Sequence, residues 1–118
     1  MAPSVSRQVS LARLQLAPSS LQAADYSATT QYLAAVKATG SDDGDKVLAQ
    51  MRKTKINDVF AKGGFIREDG RMVHDMYLMQ VKSPDKSTEP WDYYNVAETI
   101  KGEAAWTTKA DTKCALWK

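Results

Sequence analysis

The segment of residues 71–82 constrains the fold more than any other part of this sequence. It reads RMVHDMYLMQVK, and in a strand its alternate residues would point to opposite faces. One face would carry Val73, Tyr77, Met79 and Val81, and the other would carry Met72, His74, Met76 and Leu78. Both faces are mostly apolar, which is typical of a strand that lies inside a sheet and is covered on both sides.

Two helices are predicted before this segment. Apolar residues spaced three or four apart predict helices over residues 23–39 and 43–53, and Gly40 is placed to end the first in a left-handed conformation. Residues 41–45, SDDGD, resemble a calcium-binding loop superficially. They lack its sixth-position glycine and its twelfth-position acid, so capping of the second helix is the favoured interpretation.

The strands predicted around the segment leave it short of partners. Asp69-Gly70 predicts a type I′ turn in a hairpin over residues 65–82, and residues 91–100 are rich in β-branched and aromatic residues, as in a further strand. Two helices can cover only one face of such a sheet. The pattern therefore predicts an α/β piece that is either an incomplete domain or one side of an obligate interface.

Length and composition exclude several classes of protein. The chain has 118 residues, which suits one globular domain. Its formal charge of +2 is too small for binding driven by phosphate neutralisation, so no nucleic-acid partner is expected. The single cysteine excludes an intrachain disulfide and a zinc site of several thiolates. No apolar run is long enough to span a bilayer.

The two ends of the chain are less regular. Residues 1–21 lack the continuous apolar core of a secretion signal, and they are interpreted as a poorly ordered tail, with an organellar transit peptide as an alternative. Residues 101–118 predict an irregular tail, in which Trp106 and Trp117 are the expected anchors.

No combination of residues predicts an active site, a metal site or a cofactor. His74 and Asp75 are neighbours in the predicted strand, so their side chains would point apart and could not form a base with its orienting acid. Cys114 has no histidine near it in sequence. Trp91, Tyr93 and Tyr94 could form an aromatic binding platform. Packing against cross-strand neighbours or in the core is the favoured interpretation for these residues. The chain is therefore predicted not to be an enzyme.

A long block of residues is similar to a known family. The most specific part is residues 66–78, IREDGRMVHDMYL. Further matching blocks are residues 26–28, 31–38, 51–52, 57–62, 80–82 and 90–94. Together they resemble the C-terminal part of the branched-chain amino acid ABC transporter substrate-binding proteins, the type I, Leu/Ile/Val-binding-protein-like periplasmic binding proteins.

The resemblance implies a fold and a function. Members of this family are two-lobed and much longer, so residues 22–118 are expected to be a C-terminal fragment of such a domain and residues 1–21 a non-family tail. The family binds small amino-acid-like solutes in the periplasm and delivers them to a membrane permease. Most of its ligand contacts come from earlier parts of the chain, so no ligand-binding residue is carried over, although Tyr26 is a position to examine and is expected to pack.

Two functional expectations follow. The first is a solute-binding component of an ABC transporter, present as a fragment that does not bind its solute alone and that could self-associate. The alternative belongs to another class, a stand-alone α+β interaction module that uses the exposed apolar strand face within residues 71–82.

Overall fold

The computed structural model describes residues 17–113, 115 and 117 of the chain. Residues 1–16, which make up most of the predicted tail, and Cys114 lie outside the described residues. The helices are α1 (Ser20–Thr39) and α2 (Gly44–Lys53), and the strands are β1 (Ile56–Asn57), β2 (Lys62–Ile66), β3 (Met72–Val73), β4 (Met76–Val81) and β5 (Tyr94–Ile100). Short 3-10 turns cover Pro84–Lys86 and Gly102–Ala105. The α/β class predicted from the sequence is confirmed.

The two predicted helices are confirmed, with small changes at their starts. Helix α1 begins at Ser20 because Ser19 and Gln22 form a reciprocal capping box, in which each side chain accepts a hydrogen bond from the backbone N–H of the other. It ends at Gly40, whose φ of 62° is the left-handed conformation expected of a terminating glycine.

Asp43 caps α2, so residues 41–45 are a capping segment, as predicted. The Asp43 carboxylate accepts a hydrogen bond of 3.0 Å from the Lys46 backbone N–H. Replacing the carboxylate in Asp43→Ala should lower the free energy of unfolding by about 1 kcal/mol, because one N–H of the first turn loses its partner. Urea denaturation followed by circular dichroism measures this. Asp42→Ala is the control, since Asp42 is exposed, and an equal loss in both variants would contradict the assignment.

The strands form two separate antiparallel sheets. The first is three-stranded in the order β1-β2-β3, and the second is the two-stranded ribbon β4-β5. Helices α1 and α2 pack on each other and α2 contacts β2, whereas β4 and β5 contact mainly each other. The helices therefore cover mainly the first sheet, and only the start of α1 approaches the ribbon, where Leu21 and Tyr77 line the same depression.

The apolar core is small and lies between the helix pair and the first sheet. The buried apolar residues in the described part of the chain are Ala35, Val47, Ile56, Ala61 and Val73. Four of the five are alanine or valine, so the polar contacts between the helices and the first sheet also matter for holding this layer together.

The strongest of these polar contacts is made by Asp58, which joins α1 to the loop between β1 and β2. One carboxylate oxygen accepts hydrogen bonds from the Ser27 hydroxyl at 2.6 Å and from the Gln31 amide at 3.3 Å. The other accepts from the backbone N–H groups of Phe60 and Ala61, at 2.9 and 3.0 Å. Burial tends to raise the pKa of Asp58, but these hydrogen bonds together hold it below its usual value.

The predicted hairpin is present, but its predicted type I′ turn is wrong. Phe65 pairs with Val73, and the backbone N–H of Arg67 bonds to the carbonyl of Arg71 at 2.9 Å. A further bond from the Gly70 N–H to the Arg67 carbonyl closes a turn, and Gly70 has a φ of 83°. This is a three-residue loop with a left-handed glycine at its end, so only one residue needs the positive φ that a type I′ turn requires twice.

The predicted single strand over residues 71–82 is also wrong, since it is two strands in two different sheets. Strand β3 pairs with β2 and β4 pairs with β5, and His74 and Asp75 form the break between them. The prediction that this segment is covered on both faces fails as well. Every residue of β4 is exposed, from 40% at Met76 to 71% at Val81 among the large apolar ones.

The last predicted strand is shorter than expected and begins at Tyr94. Trp91 has a φ of 70°, and a hydrogen bond of 3.2 Å from the Asp92 N–H to the Glu89 carbonyl closes a turn around it. Pro90 occupies the second position of this turn, as in type II turns. The aromatic composition of residues 91–100 therefore predicts too long a strand, because Pro90 favours a turn over residues 89–92.

Candidate functional site

The break between β3 and β4 is fixed by contacts from the C-terminal tail. The His74 ring lies between Phe60 and Trp106, with ring-centroid distances of 5.0 and 5.2 Å in edge-to-face geometry. The Trp106 indole N–H donates a hydrogen bond of 3.1 Å to the His74 carbonyl. The prediction that Trp106 anchors the tail is confirmed, and the histidine it holds is packed within an aromatic cluster.

Asp75 is engaged by different partners from those of His74. Its carboxylate accepts hydrogen bonds from the Lys101 ammonium at 2.6 Å and from the Gly102 backbone N–H at 2.9 Å. These two bonds, with that from Lys101 the larger, lower the pKa of Asp75. The His74 Nδ1 atom instead lies 2.8 Å from the Asp75 backbone carbonyl. The two side chains thus have separate partners, as predicted. The prediction that both residues lie in a strand is wrong.

Arg67 is the most buried charged residue among those described, at 9% exposure. Its guanidinium makes two hydrogen bonds to Asp69, at 2.9 and 2.6 Å, and donates another to the Thr107 carbonyl at 3.2 Å. The Trp117 ring stacks on it with its centroid 3.7 Å away, so Trp117 is an anchor as predicted. The hydrogen bond from Arg67 is the main reason that the pKa of Asp69 falls to about 2.

An open depression lies beside these clusters, with a volume of about 550 Å³. Phe60, Arg71, His74 and Trp106 are among the residues that line it. The Arg71 guanidinium lies 4.9 Å from the Trp106 ring centroid, and both residues line this space. A small amino acid carries two opposite charges, and the carboxylate here, Asp69, is already paired with Arg67. An ammonium group would therefore have to compete with Arg67 for the one carboxylate among the described lining residues.

A second, smaller pocket lies between the helix pair and the first sheet. Its volume is about 140 Å³, and its lining includes Ala35, Met51 and Ile56. Sites that enclose small ligands usually measure about 300 to 1,000 Å³, so this space is a gap in the packing of the core.

The aromatic residues at the far end of the ribbon are exposed. Trp91 and Tyr93 contact edge-to-face at 6.1 Å, and Tyr93 and Tyr94 do so at 6.4 Å. Their exposures are 41%, 50% and 53%, so none of the three packs in the core. Tyr94 does pair with Val81 across the ribbon, which is the cross-strand packing that the favoured prediction included. Tyr26 is likewise 60% exposed in α1, so it does not pack as expected, and its part in ligand binding stays untested.

The described part of the chain has neither a metal-binding cluster nor a membrane-spanning helix. Residues 17–113, 115 and 117 contain no group of three or more acidic, histidine or cysteine side chains arranged to hold a metal ion. Within the same residues, no helix is both long and apolar enough to cross a membrane.

Comparison with known proteins gives consistent matches. The family model described as periplasmic binding protein matches residues 9–88. The match crosses the boundary predicted between residues 21 and 22, and that boundary stays a prediction. The chain matches none of the curated proteins with which it was compared.

Two solved structures are similar over 95% of this chain. One is a periplasmic binding protein from Burkholderia mallei, with 62% sequence identity and a TM-score of 0.91. The other is a branched chain amino acid ABC transporter periplasmic ligand-binding protein from Burkholderia xenovorans, with 39% identity and a TM-score of 0.89. The chain spans 30% of the length of each.

These matches confirm the resemblance seen in the sequence and the fold class. They also agree with the prediction that the chain is not an enzyme, since the family consists of binding proteins. With a family model matched over more than half of its residues, the chain belongs to the periplasmic binding protein family.

Proposed function

We propose that this chain is part of the solute-binding component of an ABC transporter that takes up branched-chain amino acids or related small solutes. The observation that carries the proposal is the 39% identity, over 95% of the chain, to a protein named for that role. The component would act in the periplasm, which the family description, periplasmic binding protein, supports. It would deliver its solute to a membrane permease, which the ABC transporter role in the name of the Burkholderia xenovorans protein supports.

The proposal includes a limit on what the 118-residue chain does alone. The chain spans 30% of its structural relatives, and its larger depression is open to solvent. Three of its cations are in ion pairs with carboxylates of the same chain, at 2.6 Å each: Arg67 with Asp69, Lys82 with Asp92 and Lys101 with Asp75. These observations support the proposal that the chain is a supporting part of a binding protein and that the groups that clamp the solute lie outside these residues.

A segment exchange tests this proposal. Residues 17–118 would replace the equivalent segment of the Burkholderia xenovorans protein, which is 39% identical over the aligned region. We expect the exchanged protein to keep the parent's affinity for its branched-chain amino acid within about tenfold, because a supporting segment changes few direct contacts. Titration calorimetry measures it beside the unexchanged parent. A folded exchange protein that binds none of leucine, isoleucine and valine would contradict the proposal.

A second candidate function is an interaction module. It is favoured by one observation, the exposure of every residue of β4 in a ribbon that the helices do not cover. An apolar surface of this kind marks an interaction site in most soluble proteins that carry one.

A further inference from the structure

The chain contains two Asp-Gly dipeptides, Asp43-Gly44 and Asp69-Gly70. An aspartate before glycine is prone to isomerise, because glycine has no Cβ to hinder its own nitrogen. The glycine nitrogen attacks Cγ of the neutral aspartic acid, one carboxyl oxygen leaves as water, and a cyclic succinimide forms. Water then opens the ring at either carbonyl, which restores aspartate or leaves isoaspartate, whose backbone has one extra methylene.

The carboxylate of Asp69 is held by groups of its own turn. Its oxygens accept hydrogen bonds from the Arg67 guanidinium at 2.9 and 2.6 Å, and one also accepts from the Arg71 backbone N–H at 3.1 Å. Succinimide formation neutralises this carboxylate and removes one oxygen, so it costs the paired bonds to Arg67. The attacking Gly70 nitrogen also donates its proton to the Arg67 carbonyl at 3.0 Å, a bond that the reaction breaks.

The charge state of Asp69 expresses the same effect. The hydrogen bond from Arg67 is the main reason that the pKa of Asp69 falls to about 2. In mild acid its neutral, reactive form is therefore between about ten and a hundred times rarer than that of an ordinary aspartate, whose pKa is about 3.9. The pairing with Arg67 thus opposes the first step of the reaction.

The other dipeptide has no such partner. The Asp43 carboxylate accepts a hydrogen bond of 3.0 Å from the Lys46 backbone N–H, which is a neutral donor. Among the described residues, no ion pair includes Asp43. Gly44 is the first residue of α2, where the backbone N–H groups have no acceptor within the helix. At this dipeptide, therefore, no cation holds the carboxylate in its charged form.

We propose that Asp43-Gly44 is a site of spontaneous isoaspartate formation in the folded chain, and that Arg67 protects Asp69-Gly70 from the same modification. The contacts that distinguish the two dipeptides lie within single turns of the chain. They therefore remain whatever surrounds these residues in a longer protein. The inference is also independent of solute binding, because it gives none of these residues a role with the solute.

Peptide mapping of the full chain provides the test, after weeks of incubation at about pH 5, where an ordinary aspartate is still partly neutral. Enzymatic methylation of isoaspartate and mass spectrometry measure the modification at each dipeptide. We expect at least about tenfold more isoaspartate at residue 43 than at residue 69, the effect of one charge-assisted hydrogen bond. Arg67→Gln should raise the rate at residue 69 by at least about tenfold and leave that at residue 43 unchanged.

Trp117→Ala is the matched control, because it removes the ring stacked on Arg67 but keeps the bonds between Arg67 and Asp69. It should leave the rate at residue 69 unchanged. In urea the two dipeptides should react at similar rates, since their difference comes from the fold. If circular dichroism shows that Arg67→Gln unfolds, Arg67→Lys replaces it, because lysine keeps the charge without the paired geometry and should raise the rate by less.

Several results would overturn the proposal. One is equal modification of the two dipeptides in the folded wild-type chain. Another is a rate at residue 69 that stays the same when Arg67 is replaced in a folded variant. A third is an equal rise in Trp117→Ala, which would assign the protection to the packed tail. A difference between the dipeptides that persists in urea would assign it to their neighbours in sequence.

Discussion

The isolated chain should give no saturable heat when it is titrated with leucine, isoleucine or valine at millimolar concentration. A small amino acid is held by several polar groups that converge on its charged ends inside a closed cleft. The described residues offer an open depression in which Arg67 and Asp69 are already paired with each other. Losing three charge-assisted hydrogen bonds, at roughly 1.5–3 kcal/mol each, would weaken binding by about three to six orders of magnitude.

The segment-exchange protein serves as the positive control, because it contains the same residues in a complete binding protein. A dissociation constant below about 100 μM for the isolated chain, corresponding to roughly −5.5 kcal/mol, would show that a usable site lies within these residues. Arg71 would then be the first residue to replace, since its guanidinium faces the depression beside Trp106.

The parts of the fold that the sequence predicted well are those decided by neighbouring residues. Gly40 ends α1 because a left-handed residue is needed there, and Asp43 begins α2 because its carboxylate reaches the N–H three residues later. Such signals lie within one turn of the feature they determine, so they can be found from the sequence alone.

The break at His74 and Asp75 was missed because distant residues decide it. The His74 carbonyl bonds to Trp106 and the Asp75 carboxylate bonds to Lys101, and both partners come from the tail that follows β5. Alternation of apolar residues continues through the break and gives no sign of it. A short polar pair in an apolar strand, with a lysine and a tryptophan after the next strand, is the only signal that could have indicated it.

The candidate site was less predictable than the fold. His74 and Asp75 are the candidate base and acid in the sequence. In the structure both have a structural role, since they hold the C-terminal tail in place. Arg67 and Asp69 have no site role in the sequence pattern, where they belong to the predicted hairpin and to the family-like block of residues 66–78, although they form the most buried ion pair of the described residues. The proposed function rests on the family resemblance, because the chemistry of these clusters alone does not specify a ligand.

The contact most important for stability is predicted to be that between Asp58 and Ser27. Asp58→Ala removes an acceptor from two side chains and two backbone N–H groups, and it leaves the Ser27 hydroxyl, which is 1% exposed, without that partner. We expect the free energy of unfolding to fall by about 3 kcal/mol. This is a large part of the total of about 5 to 15 kcal/mol typical of a domain, and the small core offers little to offset it.

The dependence on pH identifies the carboxylate as the cause. Because hydrogen bonds lower the pKa of Asp58 in the folded state, its stabilising effect is complete above the unfolded pKa of about 3.9 and is lost as the pH falls through the folded value. Urea denaturation should therefore show a constant difference between the wild-type chain and Asp58→Ala above about pH 5, and a shrinking one below about pH 4. Asp42→Ala should cost less than about 0.5 kcal/mol at every pH. A difference that persists unchanged into acid would mean that lost packing, and not the ionised carboxylate, destabilises the variant.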